Sequence, residues 1–234
     1  MVAPLAVRKA SRWQDSVRLL LLIDAAAKSP AEDENVPAST VGAVHTQVRL
    51  QKLDFWVRYP DYLAFELMNE YEAAPEEAGL LSLASDILDS EEPDLRRFPM
   101  LRHKFGAFEE LDDALAPLVE RGLIRKTQIL GRTGQNRVVE HVYFLLERGR
   151  EVARSLLRDA PALEWYVKRT QLVVALVDGL GGTQIKDRQY LLSEYADTPW
   201  RQYFAPITEQ ARARLRQLKA AAQMPVSDVN QEAS

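Results

Sequence analysis

The sequence predicts a mainly α-helical protein with one small β-hairpin. Through most of the chain, apolar residues recur at spacings of three and four, which is the period of an amphipathic helix. Two runs rich in β-branched and aromatic residues, 123–130 and 137–146, flank a loop containing two glycines, the pattern of paired hairpin strands. The 234 residues provide ample chain for a hydrophobic core.

Composition excludes several classes of function. The chain has no cysteine, so disulfide scaffolds, thiol catalysis and cysteine-ligated metals are ruled out. Its formal net charge of -4 offers no strong average attraction for nucleic acid. No apolar signal segment follows Met1, and the apolar run at 19–23 is too short to span a membrane. We therefore expect a cytoplasmic protein without a membrane partner.

Charge is unevenly distributed along the chain. Segment 59–95 carries 11 acidic and no basic residues, whereas the sequences on either side of it are weakly basic. Such segregation is suited to docking charged partners. The predicted organisation is a helical N-terminal region at 1–99 containing this acidic segment, a central unit at 100–160, a helical C-terminal region at 161–223 and a disordered tail at 224–234.

The N-terminal region reads as successive helices separated by polar stretches. Ser11 is a suitable N-cap for the first helix. Pro60 is compatible with the first turn of a helix. A short helix and loops are expected at 72–99, and a loop at 28–39. The helices are predicted at 11–27, 40–57 and 61–71.

The central region gives the most detailed prediction. A helix at 106–121 would place Leu111, Leu115 and Leu118 on one face, and Gly122 would end it. Pro117 lies in its interior, where proline removes a hydrogen bond. The strands come next, joined by GRTGQN at 131–136, and a helix at 150–157 follows.

Two further helices are predicted in the C-terminal region. The helix at 162–178 is apolar on nearly every side, so it must be buried in the chain's own core or against a partner. Trp165 and Tyr166 on this helix are candidate partner-binding residues. The last helix, 206–223, carries Arg212, Arg214, Arg216 and Lys219.

The central unit resembles a known family. ALAPLVERGLIRK at 114–126 resembles the third helix and first wing strand of winged helix-turn-helix proteins, and VYFLLERGREVA at 142–153 resembles the exit from their wing. The resemblance covers under a quarter of the chain. It implies a winged-helix domain within a largely helical protein, the hairpin being the wing. An unrelated helix–hairpin–helix unit is the alternative.

This resemblance raises the question of DNA binding, since such proteins usually insert the third helix into the major groove and touch the backbone with the wing. The wing is basic and could contact phosphates, whereas the helix presents acidic residues that phosphates repel. We therefore expect the helix to bind protein and any DNA contact to be to the backbone; ordinary solvated surfaces are the alternative for both. The candidate phosphate contacts are Arg125, Lys126, Arg132 and Arg137, and the acidic partner-binding candidates are Glu109, Asp113 and Glu120.

Two other stretches carry a second resemblance. VRLQKLDFWVRYPDYLA at 48–64, a basic amphipathic helix followed by a turn, and GGTQIKDRQYLLSEY at 181–195 are similar to the middle components of bacterial three-component ABC-ATPase systems. Those components accompany ATPases related to the SMC class. The resemblance implies a non-enzymatic subunit of a DNA-surveying, antiphage assembly, with an ATPase subunit as partner. For Phe55, Trp56 and Tyr59 the alternative role is core packing.

The sequence contains no recognisable catalytic constellation. His45, His103 and His141 are far apart and lack a second ligand at metal-binding spacing. The glycines near residue 180 lack the lysine of a phosphate loop. We therefore predict no enzyme activity, cofactor or metal. The alternative function is a winged-helix transcriptional regulator that dimerises through 162–178.

Overall fold

The computed structural model describes residues 11–30, 35–90, 100–103, 106–130, 138–178, 180 and 182–223, and in them the chain is mostly helical with a small antiparallel sheet. The helices are α1 (Arg12–Ala26), α2 (Gln47–Arg58), α3 (Pro60–Ala73), α4 (Gly79–Asp89), α5 (Asp112–Glu120), α6 (Glu147–Asp159), α7 (Glu164–Leu176), α8 (Gly182–Tyr190), α9 (Ser193–Ala196) and α10 (Thr208–Gln223). The strands are β1 (Thr40–His45), β2 (Leu101–His103), β3 (Gly106–Phe108), β4 (Ile124–Leu130) and β5 (Val138–Leu146).

The chain divides into two compact units, each built from two separate segments. The first comprises Met1–Arg58 and Pro93–Ala205, and the second Tyr59–Glu92 and Pro206–Ser234. The second unit thus contains α3, α4 and α10. The boundaries predicted at residues 99, 160 and 223 stay predictions, and the tail at 224–234 lies outside the described residues.

Helix α1 is central to the first unit. Ser11 and Gln14 form a capping box at its start, confirming the predicted N-cap, because each side chain bonds the other's backbone N–H. Residues 19–23 are all buried, so the helix has no single apolar face. It packs against α5, α6 and α7, which explains burial on every side.

The strands β1, β5 and β4 form the larger sheet, in that order and all antiparallel. Ala43 pairs with Phe144, and both are buried in one apolar cluster with Val142. Strands β4 and β5 confirm the two predicted hairpin strands. The predicted connection at 131–136 lies outside the described residues.

Two predicted helices are wrong in their first residues. The helix expected at 40–57 begins only at Gln47, because Thr40–His45 pairs with β5 as strand β1. The helix expected at 106–121 begins only at Asp112, because Gly106–Phe108 pairs with β2. In both cases hydrogen bonding to a strand distant in sequence replaces the local helical bonds.

The predicted end of α5 at Gly122 is confirmed. Gly122 has φ +62°, and its N–H donates to the carbonyl of Val119 at 3.0 Å. Leu123 N–H donates to the carbonyl of Leu118 at 2.8 Å. These two bonds form a Schellman motif, which satisfies carbonyls at the helix end and turns the chain toward β4.

Helix α7 is buried on one side within the chain, not on all sides. Tyr166, Thr170 and Val173 are buried, whereas Trp165 and Val174 are half-buried. Its start also differs from the prediction, since a short 3₁₀ turn at Pro161–Leu163 precedes it. The apolar composition of this helix therefore exceeds what its own unit covers.

In the second unit, the basic helix α10 packs against the acidic helices α3 and α4. Arg212 pairs with Asp89 at 2.8 Å, and Arg214 pairs with Glu72. Asp61 accepts hydrogen bonds from Ile207 N–H at 2.7 Å and from the Thr208 hydroxyl, so it caps the start of α10. Part of the acidic segment is thus neutralised within its own unit.

Candidate interaction surfaces

A buried ion cluster lies where the chain enters α5. Asp54 on α2 is fully buried and bonds Arg18 at 2.7 Å and Arg58 at 3.3 Å. Arg18 also pairs with Asp15. Glu109 pairs with Arg58 and lies 3.7 Å from Arg18, so its carboxylate belongs to this cluster.

The cluster is electrostatically compensated. Burial alone would raise the pKa of Asp54, but the guanidinium groups of Arg18 and Arg58 outweigh it and hold that pKa below its usual value. Glu109 precedes α5 and its side chain is about one-third exposed. This candidate partner-binding residue is therefore engaged within the chain and stands apart from the helix surface.

The outer face of α5 is formed by Asp113, Ala116, Val119 and Glu120. Asp113 and Glu120 are exposed, as predicted for two of the acidic candidates. Val119 lies on the same face and is 42% exposed although it is apolar. The face therefore combines carboxylates with an uncovered aliphatic side chain.

Trp13 lies next to this helix, and sequence analysis missed it. Its ring is 50% exposed, and the guanidinium carbons of Arg121 and Arg12 lie 4.7 and 5.5 Å from its centroid. Arg121 is the C-cap of α5, so the tryptophan is beside the end of that helix. An exposed Trp with arginines on its ring is typical of a binding hot spot.

Of the four basic residues predicted to contact DNA phosphates, the structure describes two, and only one of these is without an ion pair there. Arg125 is exposed on β4 and has no ion pair within the described part of the chain. Lys126 pairs with Asp112 at 2.6 Å and so ties the hairpin to the start of α5. Arg132 and Arg137 lie outside the described residues.

Two titratable residues of β5 have polar atoms that are shielded from solvent, namely the Tyr143 hydroxyl and His141 Nδ1. Burial, with a smaller contribution from Asp112, raises the pKa of Tyr143. Burial, followed by the charge of Lys126, lowers the pKa of His141, although the residue as a whole is only half-buried.

The other two partner-binding candidates lie on α7, a different helix from Asp113 and Glu120. Tyr166 is buried, and Trp165 packs edge-on against it at 4.9 Å. Arg169 stacks on the Trp165 ring at 4.7 Å. The predicted core packing of Phe55, Trp56 and Tyr59 is confirmed, since all three are buried.

A second exposed aromatic group lies on β2 and the segment after α9. The ring of His103 lies between those of Phe108 and Trp200, with centroid distances of 5.0 and 4.9 Å and a tilt of 36° to each. Trp200 is 54% exposed, and Tyr203, which bridges to Leu101, is 57% exposed. The isolated sequence positions of these residues gave no signal, because β2 brings them together.

Within the described ranges, no three His, Asp or Glu side chains are arranged to hold a metal ion. None of the helices there is long and apolar enough to cross a membrane. No protein-family model, curated protein or solved structure matches the chain. The class that the fold defines is therefore a mostly helical protein with a small three-stranded antiparallel sheet.

Proposed function

We propose that the first unit contains a winged-helix domain. Its support is the order of elements: helix α5, a glycine stop, strands β4 and β5, then helix α6. This is the order that the sequence resemblance implies. Strand β1 extends the hairpin into a sheet, and Lys126 joins the hairpin to α5 through Asp112.

We further propose that the protein is a non-enzymatic accessory subunit of a DNA-associated bacterial ATPase complex of the SMC or ABC type, acting in antiphage defence. The observation that carries this proposal is the outer face of α5. In a DNA-reading winged helix this face would enter the major groove, where Asp113 and Glu120 would meet phosphates. Val119 and the neighbouring Trp13 instead suit a protein partner.

The test is to search the genes adjacent to this one for an ATPase of the SMC or ABC type and to co-purify that ATPase with this protein. Reversing both charges, Asp113→Lys with Glu120→Lys, should lower the recovered ATPase about tenfold or more, because each exposed carboxylate becomes repulsive to a basic partner. Trp13→Ala should also lower the amount of ATPase recovered. The matched control is Glu209→Lys, an exposed carboxylate at the start of α10 in the second unit.

If Glu209→Lys also lost ATPase binding, the effect would be one of charge in general. If none of these variants changed ATPase binding, the proposed role of α5 would be refuted. A chain that never co-purifies with that ATPase would refute the accessory-subunit proposal as a whole.

The alternative is a transcriptional regulator, dimeric through α7, and exposed Arg125 on the hairpin favours it. In that case the protein should bind an operator at nanomolar concentration or tighter. Arg125→Ala should weaken binding and reduce the steepness of its salt dependence by about one, whereas Arg216→Ala, at an exposed position on α10, should change neither. Undetectable DNA binding at low salt would exclude this alternative.

A further inference from the structure

Lys52 is a buried lysine in the first unit. It lies on α2, and only 1% of the residue is exposed. Its Nζ is 3.3 Å from the carbonyl oxygen of Ala107 on β3 and 3.2 Å from the hydroxyl of Tyr195 on α9. In the described part of the chain, no carboxylate pairs with it, in contrast to Asp54 on the same helix.

The polar groups around Lys52 form a closed ring of hydrogen bonds. Lys52 Nζ donates to the Ala107 carbonyl and to the Tyr195 oxygen, and Ala107 N–H donates to the same tyrosine oxygen at 2.7 Å. These two acceptors match the two N–H groups of a neutral amine. An ammonium carries a third N–H, for which the described residues offer no acceptor, so protonation leaves a buried donor unsatisfied.

The backbone is fitted closely around this ring. Gly106 has φ +94°, and a Cβ there would lie 2.2 Å from the Tyr195 hydroxyl and 2.6 Å from Lys52 Nζ. On the other side, Gln189 of α8 donates to the backbone carbonyl of Lys52 at 3.1 Å. The β2–β3 hairpin, α8 and α9 are therefore all joined to α2 at one lysine.

The charges nearest to Lys52 disfavour its ammonium form. Burial, followed by the charges of Lys186 on α8 and Arg102 on β2, lowers the pKa of Lys52 to about 7. Tyr195 is the ionisable group in contact with it. The other charged or titratable groups on elements that pack against α2 are Arg12, Asp15, Arg18 and Asp24 on α1, His45 on β1, Glu140, His141 and Tyr143 on β5, Glu164, Tyr166, Lys168 and Arg169 on α7, and Asp187, Arg188 and Tyr190 on α8.

We propose that Lys52 is a proton-dependent switch: as the neutral amine it holds the β2–β3 hairpin and α9 against α2, and uptake of one proton from solvent releases them. Opening lets the ammonium reach water, where its pKa returns to about 10.4. The closed arrangement is therefore least stable relative to the open one at and below pH 7, and it gains stability as the pH rises from there.

The test is hydrogen exchange of the Ala107 amide, corrected for the intrinsic pH dependence of exchange. In the wild type, its protection should rise about 50-fold from pH 7 to pH 9, since opening takes up close to one proton in this range. In Lys52→Met, protection should not depend on pH over this interval. Lys168→Met, an exposed lysine on α7, is the matched control and should keep the wild-type profile.

A second measurement does not depend on the variant folding. In wild-type protein labelled with ¹³C at lysine Cε, one lysine resonance should titrate near pH 7, and Lys186→Met should move that midpoint upward. The proposal is overturned if every lysine titrates near its usual pKa of about 10.4, or if Lys52→Met retains the pH-dependent protection.

Discussion

In the first unit the Asp54 carboxylate is fully buried between two arginines, whereas in the second unit the Asp89 and Glu72 carboxylates meet arginines of α10 at the surface. The pairs use the same chemistry in different surroundings. Removing one partner of a buried pair leaves an unsolvated charge, but water solvates a surface charge that loses its partner. Burial rather than the number of ion pairs should therefore decide how much each contributes.

The largest expected effect is that of Asp54→Asn. The substitution leaves Arg18 and Arg58 buried without their shared carboxylate, so the free energy of unfolding should fall by about 3 to 5 kcal/mol. Urea denaturation measures this change. Asp113→Asn, at an exposed position on α5, is the control and should leave the midpoint unchanged; equal losses in the two variants would remove the distinction between buried and exposed carboxylates.

Low pH should destabilise the protein through the same buried ion cluster. Because the pKa of Asp54 is held below its usual value, its stabilising contribution is present above about pH 4 and is lost as pH falls through the lower folded-state pKa. Wild-type stability should therefore decrease below that pH, and Asp54→Asn should show a smaller decrease. Thermal melting between neutral and acidic pH tests this, and parallel curves for both proteins would contradict it.

A smaller effect is expected for Arg214→Ala in the second unit. Arg214 pairs with the exposed carboxylate of Glu72, and its guanidinium carbon lies 4.1 Å from the centroid of the Phe65 ring. Because the carboxylate stays in water, the free energy of unfolding should fall by only about 1 kcal/mol. Arg216→Ala on the same helix is exposed and should have no effect in urea denaturation. A loss from Arg214→Ala as large as that from Asp54→Asn would contradict the comparison.

The smallest effect should come from Arg212→Ala. The side chain of its partner Asp89 is 60% exposed, so the pair at 2.8 Å is open to screening by salt. Any difference in melting temperature between this variant and the wild type should disappear at about 1 M salt, where the Debye length is about 3 Å. A difference that persists there would show that Arg212 acts through its contact with the Leu88 carbonyl instead.

Local sequence patterns predicted the elements whose contacts are local. The Ser11 cap, the hairpin strands and the Gly122 stop depend on neighbouring residues, and all are present. Strand β1 was missed because its partner β5 lies about a hundred residues later, so nothing nearby in the sequence distinguishes it from the start of α2.

The candidate site was predictable only in part, for the same reason. Asp113 and Glu120 are exposed on α5 as expected, but Glu109 is held by arginines that the sequence alone does not bring near it. The helix expected to be basic and amphipathic through Arg49, Lys52 and Arg58 is present as α2, but it has no exposed basic face, since Lys52 and Arg58 are buried and Arg49 is half-buried. Lys52 contacts Ala107 of β3 and Tyr195 of α9, and Arg58 pairs with Glu109, all from later parts of the chain.

The hydrogen bonds from Ile207 and Thr208 to Asp61 also bear on the order of folding. The residues that they join are about 146 positions apart, and the whole inner segment of the first unit is synthesised between them. During translation α3 and α4 therefore emerge long before the helix that neutralises their carboxylates. The second unit can be completed only when the end of α10 has left the ribosome, and the first unit can form its own core earlier.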